Sequence, residues 1–572
     1  MKAFAALYLE LDASTSTLHK VDAMARYLRA APPEDAAWAV YFLAGGKPRQ
    51  LVPSSRLREL AASAAGIPAW LFEESYAAVG DLAETIAHLV PDGMEDDLTG
   101  LAEWMNERLL PVRDADPDIQ SQRLLGWWAH LDWNGRFVMN KLITGGLRVG
   151  VSKLLVARAL AEVAGIDHKT LAQRMIGYTD PRTAPDADRF RALISPIDSP
   201  QARAQQRSHP YPFFLAHPLT DDLAQLGPAS DWLVEWKWDG IRAQLVLRDG
   251  GCSIWSRGEE LLTERLPEIE QAARQWVSQV GLGDSGVVLD GEVLAWDATQ
   301  QRPLPFAALQ KRIGRQRISA SLLRQTPVIF VAYDLLEWGG EDWRDRPLQI
   351  RRRQLVQSLG DEEAAWSVQR LCLSPALNTD PLGWAGLAQH REAARGLGAE
   401  GLMLKHSNSS YGVGRTRTAG GLWWKWKLDP FSVDAVLIYA QRGHGRRASL
   451  YSDYTFAVWE RQPDAEARLL PFAKAYSGLT DEEMKAVDAI IRRTTIESFG
   501  PVRSVTPSLV FEIGFEAIAL SPRHKSGIAV RFPRILRWRQ DKTIEQADSI
   551  ESLRDLLLGS GAFQSIPAGV RQ

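Results

Sequence analysis

The strongest constraint on this 572-residue chain is a change of hydrophobic period part-way along it. Through about residue 200, apolar residues recur at helical spacing. Leu18 to Leu28 carries such a stripe, with Ser16 or Thr17 placed to cap it and Pro32-Pro33 to end it. Pro53-Ser54-Ser55 opens a helix over 56–65, and Asp81-Leu82-Ala83-Glu84 starts another. From Thr179 to Pro218 the chain is rich in Pro, Asp, Ser and Arg and reads as a linker. Short β-like runs then dominate, at 232–234, 243–247, 252–255, 287–289, 328–332 and 402–404, alternating with helices over 267–277 and 384–394. A second shift falls at Leu428-Asp429-Pro430. Beyond it, strands at 433–439, 454–459, 470–476 and 509–518 surround one helix over 480–493. The pattern predicts a multi-domain protein: an all-α domain over 1–205, an α+β domain on antiparallel sheets over 206–430, and a small β-barrel of the OB type over 431–572.

Composition removes several classes. Two distant cysteines, Cys252 and Cys372, form neither a disulfide framework nor a structural zinc module. The net charge of −3 announces no polyanion partner, so any nucleic acid must be held by local basic patches. The apolar start stops at Glu10 and Asp12, short of a signal-peptide core, and no run approaches the ~18 residues of a membrane span. The expectation is a cytoplasmic protein.

Three kinds of stretch carry chemistry. Met139 to Lys153 is a glycine-rich turn with cations, after which Ser152 caps a helix. Amides at a helix start beside Arg148 and Lys153 suit a phosphate backbone. It misses a Walker loop, because Val151 stands where the lysine must be. Gln441-Arg442-Gly443-His444-Gly445-Arg446-Arg447 is a basic hairpin loop, with Arg442 and Arg446 as candidate DNA contacts. Gly281 to Gly286 matches the dinucleotide fingerprint letter for letter but follows a helix and precedes a strand, so it reads as a loop.

The central stretch is Glu235-Trp236-Lys237-Trp238-Asp239-Gly240-Ile241-Arg242. A lysine at a strand end, desolvated by tryptophan walls or crowded by cations, becomes a nucleophile. Gly240 would let the backbone bend for a bulky ligand. Lys-x-Asp-Gly alone recurs by chance. It is followed, in order, by Ser256-Arg257-Gly258, Asp290-Gly291-Glu292, Ala332-Tyr333-Asp334, Glu400-Gly401-Leu402-Met403-Leu404-Lys405, Trp424-Lys425-Trp426-Lys427 and Arg537-Trp538-Arg539-Gln540-Asp541-Lys542. Each places a polar side chain at the edge of an apolar run.

Together these stretches resemble the collinear motifs of the covalent nucleotidyltransferases. With the helical domain in front and Arg531-Phe532-Pro533-Arg534 before the last stretch, the chain most resembles bacterial stand-alone ATP-dependent DNA ligases. The resemblance implies nick sealing in duplex DNA through a lysyl-AMP intermediate and a DNA-adenylate, with ATP and Mg²⁺, in DNA repair, by a monomer that encircles nicked DNA. It implies Lys237 as nucleophile and Glu235 at the adenine. Arg242 and Arg257 are placed at sugar or phosphate, Glu292 at ribose or metal, and Tyr333 stacked on the base. Glu400 is placed at metal, Lys425 and Lys427 at the α-phosphate, and Arg539 and Lys542 at the pyrophosphate once the last domain closes. An RNA ligase or capping-type enzyme is the first rival, disfavoured by the large helical domain. A catalytically silent nucleic-acid scaffold is the second, and it need not keep Lys237, Glu292, Glu400, Lys425 and Lys427 together.

Overall fold

The computed structural model describes the chain except for residues 92, 94–97, 148, 197–206, 220–222, 316, 361–369, 379–382, 416–422, 444–449, 464–465, 477, 500–501 and 560–572. Up to residue 194 the described elements are helices, built on local signals. The Ser16 hydroxyl accepts from the His19 amide to start Thr17–Ala30. Asp81 caps Leu82–Leu89 and Ser152 caps Lys153–Ala164 in the same way. Pro33 does not only end a helix. It occupies the first turn of the next, Pro33–Leu43, where a missing N–H costs nothing. The stripes of these helices merge into one core that includes Tyr8, Trp38, Phe42, Trp104, Trp128 and Phe190.

The linker region is not all irregular, since Ala187–Ile194 is a helix capped by Asp186. The middle domain holds two antiparallel-based sheets. The smaller runs in the order β1 (His217–Pro218), β11 (Trp423–Lys427), β10 (Ala399–His406), β2 (Trp232–Trp238). The larger runs β4 (Gly251–Ser256), β3 (Ile241–Arg248), β5 (Val287–Asp297), β7 (Val328–Trp338), β8 (Glu341–Asp342), with β6 (Arg302–Pro303) on β5 and β9 (Leu371–Leu373) on β7. Pro267–Gln279 and Leu348–Leu359 cover its outer face and bury Ile269, Trp276 and Leu355. The 281–286 segment is a loop, as its position predicted.

The last domain is the expected OB barrel. Its long first strand β12 (Phe431–Arg442) pairs with β13 (Tyr451–Trp459) on one side. On the other it pairs with β17 (Val510–Phe515) along one half and β16 (Val502–Val505) along the other. β14 (Leu469–Ala475) follows β13, β15 (Thr495–Phe499) pairs with β16, and β20 (Arg534–Trp538) pairs with β17. Thr480 and Glu483 form a reciprocal capping box on the one long helix between strands, Asp481–Thr494. The run read as one strand over 509–518 is two, because β18 (Ala517–Leu520) leaves the ladder of β17 and, among the described residues, pairs with β19 (Ile528–Arg531) while Ile518 stays in the barrel core.

The three domains touch in a cycle. Lys153 and the Gly177 amide of the helical domain meet Glu259 of the middle domain. Lys427 and Asp239 of the middle domain meet Glu516 and Arg531 of the barrel at 2.9 Å each. Arg442 of the barrel donates to the Ala77 carbonyl of the helical domain at 3.1 Å.

Candidate active site

Strand alternation decides what Lys237 faces. On β2, Glu235 and Lys237 lie on one face, while Trp232, Val234 and Trp236 pack on the other against Leu387, Leu402 and Leu404. Trp238 joins a separate cluster with Leu294, Trp296 and Ile329. The flanking tryptophans therefore pack against apolar clusters, and among the described residues they do not wall the amine. Gly240 serves packing too: a Cβ there would lie 2.4 Å from the Val293 carbonyl oxygen, so its close approach is to β5 rather than to a ligand.

Two bulges aim the other groups at this face. Between Ala399 and Leu402 the β10–β2 register slips, and Gly401 adopts φ +131° where a Cβ would meet the Trp426 carbonyl at 2.3 Å. The extra residue turns Glu400 onto Lys237, whose Nζ it pairs with, and within 3.6 Å of Lys427. Between Asp290 and Gly291 the β5–β7 register slips as well, which leaves Tyr333 unpaired in the ladder and turned between the sheets. The Arg242 guanidinium lies 5.8 Å from the Tyr333 ring centre.

The electrostatics are those of a site built for an anion beside a carboxylate pair. Burial, then the neighbouring cations Lys427, Arg415, Lys237 and Arg257, lowers the affinity of Lys425 for its proton. Burial raises Glu400, but Lys237 and Lys427 outweigh it and hold the carboxyl below its usual range. Burial pushes Glu292 up to about 8, with Lys237 and Arg242 pulling the other way. Asp239 is raised by burial and by Glu400 despite its ion pair with Arg531. Fixed cations, one amine and two carboxyls in one partly buried space can hold a polyphosphate and place an amine against it.

The sequence comparisons bear on what that space is for. Residues 214–427 match the ATP dependent DNA ligase domain, residues 1–161 the DNA ligase N terminus, and residues 447–542 the ATP dependent DNA ligase C terminal region. A probable DNA ligase of Koribacter versatilis is 32% identical across 96% of this chain and 94% of its own length. The chain belongs to the ATP-dependent DNA ligase family. DNA ligase 1 of Korarchaeum cryptofilum is 27% identical over 97% of the chain and 98% of its own. The solved structure of Pmar-Lig_PreS3 shares the fold with a TM-score of 0.57 at 14% identity, covering 94% of this chain and 99% of that one.

In the ligase, Glu235 is buried and held by Arg352 at 3.2 Å and by Lys405. Arg242 is locked in a bidentate pair with Asp290 and donates to the Phe214 carbonyl at 2.6 Å. Arg257 is exposed on the turn after β4. Lys427 bridges Glu400 and Glu516. Arg539 and Lys542 are not at the site. Both pair with Asp434 of their own domain, and Arg539 also with Asp541. Of the candidate DNA contacts, Lys153 pairs with Glu259, and Arg442 donates to the Ala77 carbonyl of the helical domain. Arg148 and Arg446 lie outside the described residues.

Sequence reasoning passed over several groups. Lys405 is buried with its ammonium 4.1 Å from the Tyr333 ring centre and 4.7 Å from that of Trp423. Its stretch was singled out, but a strand lysine carries no sign of burial. Arg352 sits on a helix with no motif around it, and Glu516 is a single acid between two strands.

Glu292 sets a pH dependence in the metal-free ligase. Its folded-state value of about 8 lies above the usual carboxylate range. From roughly pH 4.5 to 8 the folded state therefore holds a proton that the unfolded chain has lost. Stability falls as pH rises through that window, by at most about 1.4 kcal/mol per pH unit from this group, and levels off above it. Thermal unfolding in chelator across pH 5–9 is expected to show Glu292→Gln gaining on wild type through the window. A constant difference would refute it.

Proposed function

We propose that this ligase seals 5′-phosphate/3′-hydroxyl nicks in duplex DNA through a lysyl-AMP on Lys237 and a DNA-adenylate. The observation that carries this is the Glu400-directed Lys237 amine beside Lys425 and Lys427 on β11. The amine must reach phosphorus as a free base, and Glu400, already its partner, is placed to take up and return a proton at Nζ. The amine attacks the α-phosphate of ATP, the P–O bond to pyrophosphate breaks, and a phosphoramide bond forms. The 5′-phosphate of DNA then displaces the lysine, and the 3′-hydroxyl displaces AMP. Lys425, Lys427 and Arg257 supply fixed positive charge for the in-line displacements. Glu235 is assigned to the adenine, Tyr333 to stacking on it, and Arg242 to sugar or phosphate.

Mg²⁺ fits the residues present. The Glu292 carboxylate has no hydrogen-bond or ion-pair partner among the described residues, and no group of three His, Cys, Asp or Glu gathers there. That donor set suits a hard cation held by one or two carboxylates, phosphate oxygens and water. Glu292 and Glu400 would hold it, and it would neutralise phosphate charge.

The cyclic contacts among the helical, middle and barrel parts support a monomer that closes around duplex DNA. Pyrophosphate release needs another arrangement, because Arg539 and Lys542 are engaged by Asp434. Arg539→Ala is expected to slow self-adenylation by about 10²-fold while sealing preadenylated nicks near the wild-type rate, since no pyrophosphate leaves in that step. Normal self-adenylation by this variant would sink the domain-closure reading. The donor is tested with α-labelled ATP beside GTP and NAD⁺: acid-stable label is expected from ATP alone, and label from GTP would move the assignment toward capping chemistry.

A further inference from the structure

The turn that carries Arg257 is bolted to the helical domain. β4 ends in a four-residue reversal, Ser256-Arg257-Gly258-Glu259, closed by the Glu259 amide donating to the Ser256 carbonyl at 2.9 Å. The Ser256 amide donates to the Glu260 carbonyl at 2.9 Å, and the Glu260 amide to the Ser256 hydroxyl at 3.1 Å, so the reversal moves as one piece. One side of it faces the nucleotide site. The Arg257 amide donates to the Arg242 carbonyl at 2.9 Å, and its guanidinium is among the charges that Lys425 feels.

The other side faces the N-terminal domain. Glu259 stands at φ +64°, a left-handed conformation that a non-glycine residue holds only when its surroundings impose it. Its carboxylate accepts from Lys153 Nζ, and from the Gly177 amide at 3.2 Å. Trp255, just before the turn, packs in one cluster with Ile176 and donates its indole N–H to the Ser208 carbonyl at 2.6 Å. Only Gly258 separates the helical-domain anchor Glu259 from Arg257.

We propose that Glu259 is a positioning residue. Docking of the helical domain through Lys153 and the Gly177 amide holds Glu259 in its left-handed conformation, and the rigid turn thereby sets Arg257 toward the nucleotide phosphates. The N-terminal domain then acts on the adenylation step as well as on DNA. The inference rests on the assignment of Arg257 to the nucleotide.

The test is a double-mutant cycle in the full chain, read as self-adenylation at graded ATP. Glu259→Ala and Lys153→Met are each expected to raise the half-saturating ATP concentration by about three- to tenfold, with thermal unfolding reporting that the chain stays folded. In an Arg257→Ala background, Glu259→Ala is expected to change nothing beyond about twofold. The same fold-change in both backgrounds, or none in the wild-type background, overturns the proposal. If Glu259→Ala fails to fold, Glu259→Gln keeps the side chain's shape and removes its charge, and the same cycle applies. Unchanged adenylation in Arg257→Ala alone overturns the assignment of Arg257. A defect there with none from Glu259→Ala overturns only the coupling.

Discussion

Lys237→Ala is expected to abolish transfer of label from α-labelled ATP to the protein, a loss of about 10³-fold or more. In the proposed reaction the amine takes the nucleotide, and no other side chain on the β2 face can replace it. Glu235, the other group on that face, is a buried carboxylate already paired with Arg352 and Lys405. The fold should survive. The Lys237 side chain is 21% exposed, its ion-pair partner is Glu400, and Glu400 keeps Lys427 at 3.6 Å when the amine is gone. Wild-type protein has to be treated with pyrophosphate first, to discharge any nucleotide already attached. A preadenylated nick, which no longer needs the lysine as carrier, should still be sealed by the variant. Label retained by Lys237→Ala would remove the nucleophile assignment outright.

The second large effect concerns the β11 cations. Lys425→Ala is expected to slow both self-adenylation and sealing of a preadenylated nick by about 10²- to 10³-fold, the usual consequence of removing one preorganised charge from a phosphoryl-transfer site. Self-adenylation builds charge on the α-phosphate of ATP, and sealing sends negative charge onto that same phosphate as AMP departs, so both should respond. Lys427→Ala should lose as much in the chemistry and more in sealing, because Lys427 also joins the middle domain to the barrel through Glu516 at 2.9 Å. Lys425→Arg should restore only part, since a planar guanidinium cannot take the place of a compact ammonium at a half-buried position. Single-turnover rates for the two steps, measured separately, decide it. Changes under about threefold in both steps for Lys425→Ala would exclude it from the transition state.

Within this site, order along the chain was informative and distance was not. The helix starts at Ser16, Asp81 and Ser152, the barrel after Pro430 and the run of short stretches around Lys237 were legible, because capping and alternation are local. Local signals misled where a side chain's fate depends on which face meets another element. The tryptophans beside Lys237 looked like walls of a pocket, but Trp236 packs on the strand's opposite face and Trp238 against a separate cluster around Leu294 and Trp296.

What the sequence by itself determined was the class of chemistry and the three-part architecture, since these reside in residue types and their order. Tertiary structure alone decided that Glu400 is the lysine's partner, because a register slip at Gly401, invisible as spacing, turns that carboxylate inward. It alone decided that Lys405 and Arg352 hold Glu235, that Arg531 meets Asp239, and that Arg539 rests on Asp434. Those are contacts across 100 to 300 residues of chain. They arise from how bulges, sheets and domains pack, and no short stretch of sequence contains that information.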